Sequence, residues 1–244
     1  MTYQHWKRYF EDNRSHFSDI NWQEEDNLKD DEKELVSSSL QQFQRGENSE
    51  GKHLFAYAKT FPDPVYLECI RLFICEEQMH AKVLGSYMDK YSIPRIKGHW
   101  VDGVFRWLRK LAGIENTIAI LLTAEIISKV YYAALKRATG SSILQKICGQ
   151  ILKDEDQHIA FQCFTLRFFY RGRSLAGRLL IRTLQFILMN GTIAIVWLYH
   201  NRVLKKGGHS LVTFWQTVLQ VYFDCDAIII NKRKYNENTE ILFP

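Results

Sequence analysis

Apolar residues recur at helical spacing along most of this chain, and prolines and glycines divide the apolar stretches into separate helices. Only four prolines are present, so long segments are free of helix breakers. Asp63 as N-cap, followed by Pro64 at the first helical position, is the clearest start signal. The pattern predicts an all-α protein with helices at about 1–18, 31–60, 64–91, 104–111, 114–139, 142–170, 175–205 and 209–232.

The connections between the four long helices indicate how they are arranged. Short connections join the first helix to the second and the third to the fourth, whereas residues 92–113 form a long crossover between the second and the third. This order is typical of a ferritin-like four-helix bundle. We therefore expect a single domain over residues 1–244, with the bundle at 31–170, additional helices at both ends, and a C-terminal helical extension at 171–232 packed on the bundle.

Charged residues interrupt the apolar stripes of the four long helices, and the interruptions repeat. Each residue of one set of three has a counterpart of the same type 78 positions later. Within each set, 30 residues separate a lone Glu from a second Glu, and a His follows three positions later. The two sets are Glu47, Glu77 and His80, and Glu125, Glu155 and His158.

The spacing and the residue types predict a dinuclear metal site. Residues three apart lie on the same helix face, so one Glu and one His can reach a common ion. Two Glu-x-x-His pairs and two lone Glu residues are the ligands with which a four-helix bundle holds two metal ions. Four carboxylates also neutralise two divalent cations, which makes burying them together tolerable. We expect two iron ions, with a mixed manganese–iron pair left open.

A third Glu-x-x-His pair, Glu50 and His53, tests the value of the repeat. The residues 78 positions later are Ser128 and Tyr131, so this pair has no symmetric counterpart. We interpret it as fortuitous or as an outer neighbour of the site.

Three residues next to the predicted ligands are candidates for a supporting shell. Glu76 and Asp154 precede the paired glutamates and are themselves 78 positions apart. Metal-bound imidazoles usually donate their second N–H to a carboxylate, and we expect these two acids to serve the opposite helix in this way. Tyr132 either points toward the site or belongs to the core.

Composition and charge limit the classes of protein to which this chain can belong. The chain has 244 residues, 46% of them apolar and 24% charged, as in ordinary soluble proteins. Residues 1–50 carry a net charge of −6 and residues 164–244 a net charge of +7. The basic end could contact an acidic partner, a membrane surface or nucleic acid, or the two ends could solvate different faces or pair with each other. Nucleic acid is not among the partners we expect.

The cysteines and the apolar runs indicate the compartment. Five cysteines without Cys-x-x-Cys spacing are typical of buried thiols in a reducing compartment. Met1 to Phe10 contain no apolar block, which argues against a secretory signal. The apolar run from Gln185 to Tyr199 is interrupted by Asn190 and Gly191 and is shorter than the roughly 20 residues of a membrane span, so it predicts a core helix. We expect a cytoplasmic protein without a transmembrane segment.

Several motifs resemble the ferritin-like di-iron carboxylate superfamily. The segments at 46–50 (Gly-Glu-Asn-Ser-Glu) and 76–82 (Glu-Glu-Gln-Met-His-Ala-Lys) resemble rubrerythrin motifs, although Ser128 stands where that family carries another Glu. The six-ligand set, the additional helices and the segments at 60–62 (Thr-Phe-Pro) and 153–158 are similar to the aldehyde-deformylating oxygenases.

The resemblance implies a redox function at the metal site. It implies that a reduced iron pair binds O₂ or peroxide, with Glu77 and Glu155 bridging, Glu47 and Glu125 terminal, and one histidine on each ion. Electrons would come from a separate reductase, since no flavin or dinucleotide signature is visible. The helices at 175–232 could line a channel for an apolar substrate, or form extra core or a homodimer face.

Three functions are consistent with this interpretation. One is a di-iron oxidase or oxygenase that acts on an organic substrate. Another is a ferroxidase or peroxide-scavenging protein, with iron itself as a substrate. The third is a ferritin-like interaction scaffold without turnover, which would use its basic aromatic end for contacts.

Overall fold

The computed structural model describes residues 2–26, 28–48, 51–98 and 113–230, and these ranges are helical without any β-strand. The prediction of an all-α protein is therefore confirmed. The helix predicted at 104–111 and the tail after residue 230 lie outside the described residues. The helices are α1 (Tyr3–Asp12, followed by a 3₁₀ turn at Asn13–Ser15), α2 (Asp30–Glu47), α3 (Lys52–Ala58), α4 (Pro64–Lys90), α5 (Ile114–Ala138), α6 (Ser142–Arg171), α7 (Leu175–Lys206) and α8 (Leu211–Ile229).

The helix predicted at 31–60 is divided into α2 and α3, which corrects the sequence-based boundary. Gly51 lies between them in the left-handed region, with φ of 60°. A Cβ atom at this position would lie 2.5 Å from the Cδ1 atom of Ile74, so both the backbone and the packing require glycine. Gly46 has open space where a Cβ would lie, so of these two glycines it is Gly51 that serves a close approach. As a result, Glu47 is the last residue of α2.

Helix α4 begins at its predicted capping signal, and a serine caps the start of α6 in a similar way. The Asp63 side chain accepts a hydrogen bond from the Val65 N–H at 2.9 Å, and Pro64 opens α4. At the start of α6, the Ser141 hydroxyl accepts a hydrogen bond from the Leu144 N–H at 3.1 Å. Both caps satisfy N–H groups that have no partner within the helix.

Contacts between residues divide the chain into two compact units. The first unit consists of residues 1–117 and 139–150, and the second of residues 118–138 and 151–244. Helices α5 and α6 each contribute residues to both units. In the first unit α1 packs against α4, with the rings of Phe10 and Phe73 6.4 Å apart. In the second, the Arg137 side chain of α5 donates to the Gly207 carbonyl at the end of α7, at 2.7 Å.

Two helices of the described chain are long and apolar enough to cross a membrane, namely α5 and α7. The most apolar window of α5 is 72% buried, as expected for the core helix of a folded unit, but that of α7 is only 28% buried. The charge-free stretch of α7 runs from Thr183 to Asn201. Helix α7 therefore differs from the core helix that its sequence predicted, because a helix that is apolar on every side does not reveal which side is covered.

Candidate functional site

The first unit brings Glu47, Glu77 and His80 together, and we call this group the N-terminal triad. The potential ligand atoms of the three side chains all lie within 4.8 Å of one another. Glu47 and His80 are buried, whereas the side chain of Glu77 is 16% exposed. The Nδ1 atom of His80 lies 3.8 Å from Oε1 of Glu77, one helical turn apart on α4. The structure thus places these three residues side by side within this unit.

Local packing explains how two helices present this triad. Glu77 and His80 continue the buried stripe of α4 between Phe73 and Leu84. The Gln44 side chain of α2 donates a hydrogen bond to the Ala81 carbonyl of α4 at 3.1 Å. This bond holds the end of α2, and with it Glu47, beside the middle of α4.

The N-terminal segment contributes two polar neighbours that the sequence interpretation missed. The Asn13 side-chain amide donates to Oε1 of Glu76 at 2.5 Å, and Nδ1 of His16 lies 3.9 Å from the same oxygen. The rings of His16 and His80 are 6.3 Å apart, and a nitrogen of each ring lies within 4.8 Å of the other. Asn13 and His16 lie in or next to a 3₁₀ turn, where neither periodicity nor the 78-residue repeat could have identified them. Glu76 is buried, but the donation from an imidazole of the opposite helix stays a prediction.

The second unit brings Glu125, Glu155 and His158 together, and we call this group the C-terminal triad. Glu125 lies on α5, and the other two residues lie one helical turn apart on α6. Their potential ligand atoms lie within 4.8 Å of one another, and Glu155 and His158 are completely buried. The Nδ1 atom of His158 is 3.8 Å from Oε2 of Glu125 and 3.9 Å from Oε2 of Glu155.

The neighbours of Glu125 lower the pKa of its carboxyl group. Burial raises this pKa, but the interactions with His158, Glu155 and Gln162 outweigh the burial and leave the pKa below its ordinary value. The bond from Gln162 runs from Nε2 to Oε1 of Glu125 at 2.9 Å. One oxygen of Glu125 is therefore positioned by a neutral donor.

Two further predicted site residues, Asp154 and Tyr132, lie in the interior of the second unit. Asp154 is completely buried on α6, and Tyr132 is completely buried on α5 with its ring 5.3 Å from that of Tyr131. Tyr132 thus belongs to an aromatic cluster of the core. His53 is exposed on α3, whereas its partner Glu50 lies outside the described residues. The exposure of His53 agrees with the interpretation of that pair as fortuitous.

Comparisons with models of protein families, with curated proteins and with solved structures gave no match.

The donor atoms of the two triads suit divalent cations. Carboxylate oxygens and imidazole nitrogens are the ligands that iron and manganese take in proteins. Each triad places two carboxyl groups beside one buried imidazole, and all of these carboxyl groups except that of Glu77 are buried. Buried negative charge is costly unless a cation or hydrogen-bond donors compensate it. Each unit therefore contains a carboxylate–histidine cluster that could hold a metal ion.

Proposed function

We propose that the N-terminal and C-terminal triads together hold one dinuclear centre of iron, or of manganese and iron. The proposal is supported by the 78-residue repeat together with the close approach of the side chains within each triad. The same three residue types at the same spacing converge to within 4.8 Å in each unit, and five of the six are buried. Convergence of both copies would be an unusual outcome for surface charges or ordinary ion pairs.

The chain's own residues would have distinct roles at this centre. Glu47, Glu77, Glu125 and Glu155 would hold the ions through carboxylate oxygens, and His80 and His158 would hold them through imidazole nitrogens. Gln162 would hold one oxygen of Glu125 and so limit the orientations of that carboxylate. When bound, a reduced iron pair supplies electrons for the reduction of O₂ or peroxide.

The protein is best explained as a di-iron oxidase or oxygenase of the ferritin-like kind. The donor set combines four carboxylates with two imidazoles, which suits a redox-active pair of ions. The five cysteines include no Cys-x-x-Cys pair, so the electrons would come from a separate reductase. The substrate class that we favour is a small organic molecule.

The test of the centre is metal content after anaerobic loading with Fe(II), measured by mass spectrometry. The wild-type protein should hold about two ions per chain. Glu77→Ala and His158→Ala remove one ligand from each triad, and each should abolish the binding of both ions because the centre is shared. His53→Ala is the matched control, since it removes the exposed histidine of a Glu-x-x-His pair that has no counterpart in the repeat.

Two results would contradict the proposal in different ways. If each variant lost one ion and kept the other at unchanged affinity, the triads would be separate mononuclear sites. If both variants kept full occupancy, the triads would not bind metal at all. Far-UV circular dichroism of the metal-free variants shows whether a loss of metal reflects unfolding.

Oxygen consumption separates the oxidase from the two alternatives. The reduced and loaded protein should consume O₂ with continued turnover only when an external electron donor is supplied. A ferroxidase would instead continue as long as fresh Fe(II) is added, without another donor. A scaffold would show neither reaction, and Glu77→Ala would keep its fold and partners.

A further inference from the structure

Helix α7 presents an apolar face that the described part of the chain does not cover. Its large side chains, Leu180, Leu184, Ile187 and Leu198, are between 58% and 71% exposed. Their spacing places them on one side of the helix, and the small residues Gly191 and Ala194 fall on the same side. We call these six residues the α7 apolar face. No charged residue interrupts it, so it is a continuous patch of the kind that marks an interaction site.

The opposite side of α7 is packed against its own unit. Met189, Ile193 and Val196 are buried there, and α7 also contacts α8. A helix that crosses a bilayer on its own would be accessible to lipid on all sides. This helix is covered by protein on one side and bare on the other, which suits a helix that lies in the plane of a membrane surface.

Helix α8 extends the apolar surface with aromatic side chains. The rings of Phe186 and Phe223 stack 6.1 Å apart, and Nε1 of Trp215 donates to Oδ1 of Asn190 at 2.9 Å. Trp215 and Phe223 are both exposed. Tryptophan, with an apolar ring and one polar N–H, is enriched at the boundary between lipid chains and headgroups.

The charges around this surface point to an anionic partner. Between Gln157 and Phe223 the chain contains eight arginines and lysines and no acidic residue. Arg171 and Arg178 lie near the start of α7, and Lys205 and Lys206 lie at its end. Basic residues at both ends of an apolar helix face match the headgroups of anionic phospholipids.

The same charges disfavour a second copy of the chain as the occupant. A symmetric dimer would pair the same surface patch from both copies. Because both ends of α7 are basic, parallel and antiparallel pairing would each bring basic ends together. An anionic bilayer meets no such repulsion.

We propose that the α7 apolar face docks the protein in the plane of a bilayer surface that contains anionic phospholipids. The face extends from Leu180 to Leu198, or about 27 Å along the helix at 1.5 Å per residue. Its leucines and isoleucine enter the boundary of the acyl chains, while the lysines and arginines at both ends contact headgroups. This docking does not depend on metal, and it can be measured without activity.

The experiment is flotation of the full chain with vesicles of phosphatidylcholine, with or without about one third phosphatidylglycerol. The wild-type protein should float with the anionic vesicles, and increasing salt should weaken the binding because screening shortens the reach of the charges. Leu184→Gln/Ile187→Gln should reduce the bound fraction by about tenfold or more, because it replaces two apolar side chains at the centre of the face without changing charge.

A second pair of variants tests the electrostatic part. Lys205→Gln/Lys206→Gln should weaken binding by roughly three- to tenfold, since each basic residue near an anionic surface adds to the attraction. Lys59→Gln/Lys97→Gln removes the same charge from exposed positions of the first unit and should leave binding unchanged. All substituted positions are exposed, so circular dichroism and the melting temperature should match the wild type.

Three results would overturn the inference. Equal flotation of Leu184→Gln/Ile187→Gln and wild type would show that this face does not bind lipid. A wild-type dimer that this variant converts to a monomer, without vesicle binding, would assign the face to a second copy. Retention in native membranes after alkaline carbonate extraction would show that α7 spans the bilayer.

Discussion

The two triads contain the same residues at the same spacing, yet their surroundings differ. In the N-terminal triad, Glu77 is partly exposed and Glu47 lies at the helix end before Gly51. In the C-terminal triad, Glu155 and His158 are completely buried on the long, uninterrupted α6. The cost of an uncompensated charge increases with burial, so the same ligand should depend more strongly on a cation in the C-terminal triad.

The largest expected effect is on metal affinity. Glu77 and Glu155 occupy equivalent positions in the repeat, so the same substitution at each forms a matched pair. Glu155→Gln should weaken metal binding by at least about 100-fold, and Glu77→Gln by about 10-fold, since even residues that only orient metal ligands contribute 10- to 100-fold. The difference follows from the complete burial of Glu155, which leaves no water to replace the lost carboxylate. Competition with a chelator measures both dissociation constants. Equal losses would show that the environments are equivalent.

The stability of the metal-free protein should change in the opposite direction. Glu155→Gln should raise the free energy of unfolding by about 1–3 kcal/mol, because it removes a buried acid and keeps a neutral side chain of nearly the same shape. Glu77→Gln should change it by less than about 1 kcal/mol, since water reaches Glu77. Urea unfolding in the presence of a chelator measures both values. A loss of stability in Glu155→Gln would contradict the view that this carboxyl is kept for metal binding.

The sequence predicted the helices of the described residues and the members of the two triads. It was less informative about features that depend on how the helices pack against one another. Asp63 and Pro64 are local signals, and a repeat of residue types is visible without any structure. The break at Gly51 depends on the close approach of Ile74, which is distant in sequence. His16 reaches the neighbourhood of His80 only through the packing of α1 on α4. The exposure of α7 likewise depends on which helices pack against it, and the sequence of α7 does not show this.

A smaller effect should come from the residue that orients Glu125. Gln162→Leu removes the hydrogen bond to Oε1 of Glu125 and should lower metal affinity by about 10-fold, the effect expected of a residue that orients a ligand. Gln185→Leu is the matched control, since Gln185 is also buried in the second unit but donates to the Ala119 carbonyl. Both variants should lose some stability, and only Gln162→Leu should lose affinity. Equal affinities in the two variants would contradict the orienting role.

The smallest effect concerns Asp26, which stabilises the first unit through hydrogen bonds and not through metal. Its Oδ2 atom accepts hydrogen bonds from the hydroxyls of Tyr91 and Ser141, each at 2.5 Å. Burial raises the pKa of Asp26, but the bonds from Ser141 and Tyr91 outweigh it, so the pKa lies below its ordinary value of 3.8. The ionised carboxylate therefore stabilises the folded state above that ordinary pKa, and this contribution is lost as the pH falls through the lowered pKa.

Asp26→Asn should accordingly lower the free energy of unfolding at pH 7 by about 1–2 kcal/mol, which is near the lower end for hydrogen bonds to a charged group because Asp26 is only half-buried. The difference from wild type should shrink as the pH falls below about 4, because the wild-type carboxyl then becomes protonated. Urea unfolding of the metal-free protein across this pH range measures the difference, and Asp19→Asn, at an exposed position of the same segment, is the control. A difference of the same size at both ends of the pH range would mean that packing, not the charge of Asp26, holds this segment against α4 and α6.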